Sequence, residues 1–144
     1  YDPTEWIDLV HDAGKMLAAV GKVEFPLAGF FDRELNVTKP FVGNGIADEI
    51  KMILQDPVAQ GRLGHEVMGK IQHIFVTHAG LLPDATHRHL VHGDFDPSNI
   101  LVEKHHDRWR IAALLDWEFA FSGSRMWDVS NMLRYAHRMP AVYQ

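Results

Sequence analysis

The chain has 144 residues, a formal net charge of −5, 47% hydrophobic and 23% charged residues, and no cysteine. That balance suits one globular domain, excludes disulfide frameworks and thiolate metal sites, and disfavours nucleic acid as the partner, which needs a basic face. No stretch approaches the roughly 20 apolar residues of a membrane helix, and charges interrupt the opening segment where a signal peptide would lie, so a cytoplasmic protein with no membrane partner is expected.

In chain order, Asp2-Pro3-Thr4-Glu5 reads as a helix start, with Asp2 as cap and Glu5 at the capping-box position. Trp6, Val10, Ala13, Leu17 and Val20 then recur at helical spacing up to Gly21. The apolar stretch from Phe25 to Asp32 is broken by Pro26 and Gly29, and reads as a core-packed loop leading to a short extended piece at Val37. A second helix is expected from Ile46 to Gln55, with Ile46, Ile50, Ile53 and Leu54 inward. Asp56-Pro57 opens a longer helix to about Ala79, whose core side carries Leu63, Val67, Ile71, Ile74 and Phe75, and Gly80 can end it.

After the Leu82-Pro83-Asp84 turn, two apolar runs, Ile100-Leu101-Val102 and Ile111 to Leu115, flank the polar loop Lys104 to Arg108 and read as a β-hairpin. A turn at Ser122-Gly123-Ser124 leads to a last helix, about Trp127 to His137. The fold class is therefore α+β and mostly helical, a single domain over residues 1–144.

The chemistry concentrates in His92-Gly93-Asp94-Phe95-Asp96-Pro97-Ser98-Asn99, ahead of the first hairpin strand. Phosphoryl transfer needs a carboxylate to orient the attacking hydroxyl and accept its proton, and oxygen ligands that hold Mg²⁺ on the nucleotide phosphates. Kinase catalytic loops supply an Asp and, five positions on, an Asn; Asp94 and Asn99 have that spacing. Asp116 ends the second strand. In a hairpin centred near residue 107, Asn99 would face Leu115, which brings Asp116 beside the loop. Amide and carboxylate oxygens are the hard ligands that Mg²⁺ prefers. Asp94 and Asn99 are also ordinary turn formers, which is the plainer alternative.

His92 to Val102, together with Leu114-Leu115-Asp116-Trp117-Glu118-Phe119-Ala120, resembles the aminoglycoside phosphotransferase family, whose fold is similar to that of protein kinases. Gly29 to Asp32 and Asp128 to Arg134 also resemble it. The resemblance implies the large lobe of a kinase-like fold with a catalytic hairpin. It implies Asp94 as catalytic base, Asn99 and Asp116 as magnesium ligands, and His92 as a shaper of the loop. Asp128 would accept backbone hydrogen bonds from beneath the loop, or else be a helix N-terminal acid. Glu118 could stand behind the metal ligands, meet a cationic substrate, or be a solvated acid. Trp117 reads as packing.

Asp96 stands where many relatives carry histidine, and could attract an ammonium group. The implied activity moves the terminal phosphoryl group of ATP or GTP to a hydroxyl of a small cationic molecule, an aminoglycoside first, with antibiotic resistance as the implied role. No glycine-rich hairpin or strand lysine occurs. Val42 to Asp48 begins like a dinucleotide loop, but Asp48 occupies the third glycine's place. A small lobe is therefore expected before Tyr1 and further helices after Gln144, and these residues alone are not expected to turn over.

Two other readings compete. Ten histidines include His87, His89 and His92 along one extended stretch and His105-His106 at the hairpin, so a histidine-based metal-binding domain, zinc on His87 and His89, is one. A non-catalytic kinase-like interaction module is the other.

Overall fold

The computed structural model describes residues 3–41, 45–106 and 108–134. The expected Asp2 cap therefore lies outside the described residues. So do the start of the partial dinucleotide loop, the centre of the hairpin turn and the last helix beyond Arg134.

Helix α1 (Pro3–Val20) ends where Gly21 lets the chain turn closely: a Cβ there would collide with the Arg125 side chain. Of its stripe, Ala13 is buried and Leu17 and Val20 half-buried, in a helix that packs on the second hairpin strand, β5 (Arg108–Leu114). Helix α2 (Ile46–Gln55) runs into α3 (Pro57–His78) through Asp56. The Asp56 carboxylate accepts the Val58 N–H at 3.1 Å, the N-cap that the Asp-Pro pair predicts.

A four-stranded antiparallel sheet runs in the order β2 (Val37–Pro40), β1 (Gly29–Phe31), β6 (Phe121–Gly123), β3 (His89–Val91). A separate hairpin pairs β4 (Ile100–His105) with β5 (Arg108–Leu114). Helix α4 (Met126–Leu133) closes the described chain. Phe121, buried in β6, meets Phe30 and Phe41 at 5.9 Å and Trp127 of α4 at 5.6 Å between ring centroids. This aromatic cluster holds sheet and helix together. The result is the α+β architecture expected from the sequence. Among the described residues no helix is long and apolar enough to cross a membrane.

Three departures from the sequence reading have physical causes. The stretch from Phe25 to Asp32 is not only a loop: Gly29–Phe31 is strand β1, paired on both sides. Three residues are too short for a period-two signal, and distant partners impose the pairing. The same holds for Phe121–Gly123, which overlaps the expected turn at Ser122-Gly123-Ser124. The hairpin strands also run further than their apolar runs, pairing through Lys104 with Trp109 and His105 with Arg108.

Helix α3 differs most. None of its residues is fully buried; Leu63, Val67 and Ile74 are exposed, and Ile71 and Phe75 only half-buried. Gly64, at φ 75°, ψ 161°, kinks it, so one continuous apolar stripe cannot form. In α2, Ile50 and Leu54 are half-buried, but Ile53 is exposed.

Candidate active site

Two pairings fix the site. At one end, β3 lies beside β6 with Val91 opposite Phe121, so the chain enters the loop at His92 next to Ala120. At the other end, Ile100 lies opposite Leu114 and the Leu115 N–H donates to the Asn99 carbonyl at 2.8 Å. The loop of residues 92–99 and the segment of residues 115–120 are therefore held side by side at both ends. Near the site the hairpin keeps the register expected from a turn centred at residue 107; a bulge between Leu101 and Val102 shifts it by one only further out.

Asp94 and Asn99 meet directly. The Asn99 Nδ2 donates to the Asp94 carbonyl at 2.9 Å and to its carboxylate Oδ2 at 3.0 Å. Because the amide nitrogen is spent on Asp94, the amide oxygen of Asn99 is left as an acceptor. Asp116 sits at φ 65°, ψ 66°, a left-handed conformation that turns the chain out of β5 into the one-turn helix Trp117–Phe119. Asp tolerates that region better than most residues. Its carboxylate makes no hydrogen bond or ion pair with any described residue. Two hard oxygen donors, the Asn99 amide and the Asp116 carboxylate, thus flank the Leu115–Asn99 bond, which is a donor set that fits Mg²⁺.

His92 is fully buried and ties the two segments together. Its Nε2 lies 2.9 Å from the Leu115 carbonyl and its Nδ1 3.3 Å from the Asp94 N–H. A carbonyl only accepts and an amide N–H only donates, so the ring carries its hydrogen on Nε2 and its lone pair on Nδ1. Trp117 stacks edgewise on this ring at 4.6 Å and donates its indole N–H to the Leu114 carbonyl at 3.0 Å, the packing role read from sequence.

Asp128 lies under the loop at 2% exposure, accepting the His92 N–H at 2.8 Å and the Gly93 N–H at 2.9 Å. Burial pushes its carboxyl above the ordinary value, and the two N–H donors pull it back only in part. Gly93 is confined to glycine: φ is +86°, and a Cβ would collide with the Phe119 carbonyl oxygen. Asp96 caps the one-turn helix Pro97–Asn99, its Oδ1 accepting the Ser98 N–H at 3.0 Å and the Ser98 hydroxyl at 2.8 Å, while Oδ2 meets Arg134 at 3.5 Å. The Ser98 N–H holds the Asp96 carboxyl below its ordinary value, against partial burial. Glu118 is exposed on the same segment as Asp116.

Among the described residues, the histidines singled out from sequence have other neighbours, His89 lying 3.7 Å from Glu24. Both His92 nitrogens are engaged, His87 sits 3.3 Å from Asp84, and His105 and His106 stack on each other at the hairpin end. Among the described residues no group of three or more His, Asp or Glu side chains is arranged to hold a metal ion. Sequence reading does not single out Trp127 and Asn131, which both donate to the Gly93 carbonyl, at 3.1 and 2.8 Å. Their partner lies more than thirty residues away, and no spacing rule reaches that far.

The loop of residues 92–99 and the acid that follows the second hairpin strand are thus clamped together in an α+β chain. Residues 2–142 match the phosphotransferase enzyme family, and the chain belongs to it. No curated protein and no solved structure gives a match.

Proposed function

We propose that this chain carries the reaction centre of a small-molecule kinase that moves the terminal phosphoryl group of ATP or GTP to a hydroxyl of a small cationic acceptor, aminoglycoside-like in character. The observation that carries this reading is the Asn99 amide nitrogen spent on the Asp94 carbonyl and carboxylate Oδ2, with the Asp116 carboxylate, one residue past the Leu115–Asn99 bond, bonded to no described residue.

In this reading Asp94 accepts a hydrogen bond from the acceptor hydroxyl and aligns its oxygen on the terminal phosphorus. The new P–O bond forms as the bond to the nucleoside diphosphate breaks, and the hydroxyl proton passes to the Asp94 carboxylate. Asn99 keeps Asp94 turned toward the acceptor. Its amide oxygen, together with the Asp116 carboxylate, would hold Mg²⁺, which when bound offsets charge on the phosphate oxygens. His92 and Asp128 fix the loop that presents these groups. Glu118, exposed and acidic, is placed to attract an ammonium group of the acceptor.

The test uses the natural full-length polypeptide. That protein is incubated with Mg²⁺, ATP or GTP, and a panel of aminoglycosides, choline-like compounds, sugars and amino alcohols, and phosphorylated product is read by mass spectrometry. A cationic hydroxyl compound phosphorylated at one hydroxyl is the expected product. Phosphorylation confined to neutral sugars would overturn the cationic assignment, and no product from any hydroxyl compound would overturn the kinase reading.

A further inference from the structure

We infer that Trp127 and Asn131 are positioning residues for Asp94, acting by locking the peptide bond between Gly93 and Asp94 in one orientation. The inference rests on the reading of Asp94 as the proton acceptor and adds residues that neither the loop motif nor the strand-end acid contains.

The need for a lock comes from the sequence of the loop itself. Position 93 must be glycine, because its φ of +86° and its contact with the Phe119 carbonyl exclude a side chain. Glycine is also the residue with least resistance to backbone rotation, so the next peptide plane is free to swing unless something outside the loop holds it. That plane determines where the Asp94 side chain starts. From within the loop it has one weak tether, the 3.3 Å contact from the Asp94 N–H to His92 Nδ1.

Helix α4 supplies the rest. Three of its residues, Trp127, Asp128 and Asn131, lie on the turn that faces the loop. Asp128 takes the N–H groups of His92 and Gly93, and so fixes the peptide before Gly93. It cannot fix the one after. The Gly93 carbonyl, which belongs to that second peptide, instead receives two donors: the Trp127 indole N–H at 3.1 Å and the Asn131 Nδ2 at 2.8 Å. Both lone pairs of the oxygen are thus used, and rotating the peptide would break both bonds at once. The two donors are themselves held, since the Trp127 ring packs edgewise on Phe121 at 5.6 Å and Asn131 sits half-buried in the helix. Asp94 lies one bond beyond this anchored carbonyl, and Asn99 then sets its carboxylate.

The test compares Trp127→Phe, which keeps the ring and removes only the N–H, with Asn131→Ala and the double variant, all in the full-length polypeptide, with Asp94→Asn as a reference. Folding is followed by circular dichroism, and kcat and KM for nucleotide and acceptor are measured separately. A misaligned proton acceptor is expected to lower kcat by about tenfold to 10²-fold in Asn131→Ala, with less loss in Trp127→Phe and KM held within about twofold. The double variant is expected to lose less than the product of the two single losses if one anchor is shared.

Folded single variants with kcat within about twofold of the parent would overturn the inference, as would a parallel rise in KM that accounts for the whole loss. If Asn131→Ala fails to fold, Trp127→Phe alone decides. Asp94→Asn without effect would remove the functional reading, and this inference with it. An inactive Asp94→Asn beside fully active Trp127→Phe and Asn131→Ala would remove the inference alone.

Discussion

Exchange of Asp94 for asparagine is expected to lower phosphoryl transfer by about 10²-fold or more while leaving the fold intact. The substitution is nearly isosteric, and the backbone carbonyl of residue 94 still receives the Asn99 Nδ2. What disappears is the negative charge and the ability to take a proton. The amide could still orient the acceptor hydroxyl through its oxygen, so acceptor KM should change little and the loss should fall on kcat. Steady-state kinetics with a thermal melt of the same preparation checks both parts. Activity within a few-fold of the parent would mean that another group takes the proton.

Removal of the Asp128 carboxylate is the second large effect, and it acts on stability first. Asp128→Ala leaves the His92 and Gly93 N–H groups unpaired in a buried site. Each buried donor left without a partner costs about 1–3 kcal/mol, so a total loss of about 2–6 kcal/mol is expected, together with loss of activity as the loop loosens. Asp128→Asn keeps one acceptor oxygen but turns an NH₂ toward the other donor, and should lie between the alanine variant and the parent. Urea denaturation at unchanged slope measures both.

A pH series adds an independent check. Burial holds the folded-state pKa of Asp128 above its unfolded value, so its ionisation works against folding. Its contribution to stability is complete below the ordinary carboxylate range and is lost as pH rises through the raised value. Asp128→Asn should lack that part of the slope.

The α+β class and the juxtaposition of the candidate residues were legible in sequence, the short strands of the sheet were not, and the reason is physical. Asp94 and Asn99 lie in one loop, and the position of Asp116 followed from hairpin register, which a turn and two apolar runs specify locally. Helix starts carrying local signals, such as Asp56-Pro57, were legible in the same way. The sheet was not. Strands β1, β3 and β6 have three residues each and exist because distant partners supply their hydrogen bonds.

The helix pattern misled where the burial pattern is not helical: the apolar positions of α3 predicted a core face, yet Leu63, Val67 and Ile74 are exposed and Gly64 interrupts the stripe. The grip of α4 on the loop lay beyond any reading by spacing. Asp128 was placed there by resemblance, and Trp127 and Asn131 became visible only through their bonds to Gly93.

On the proposed reading, the Asn99 amide and the Asp116 carboxylate hold a divalent ion beside Asp94, where the loop leaves for the hairpin. Mn²⁺, standing in for Mg²⁺, tests it through paramagnetic broadening of the protein's NMR signals, read in the full-length polypeptide with nucleotide present. The Asn99 side-chain amide and the signals of Asp116 and Asp94 are expected to broaden first, and Asp116→Ala to abolish the effect. Broadening centred on His87 and His89, with Asn99 and Asp116 sharp, would contradict it.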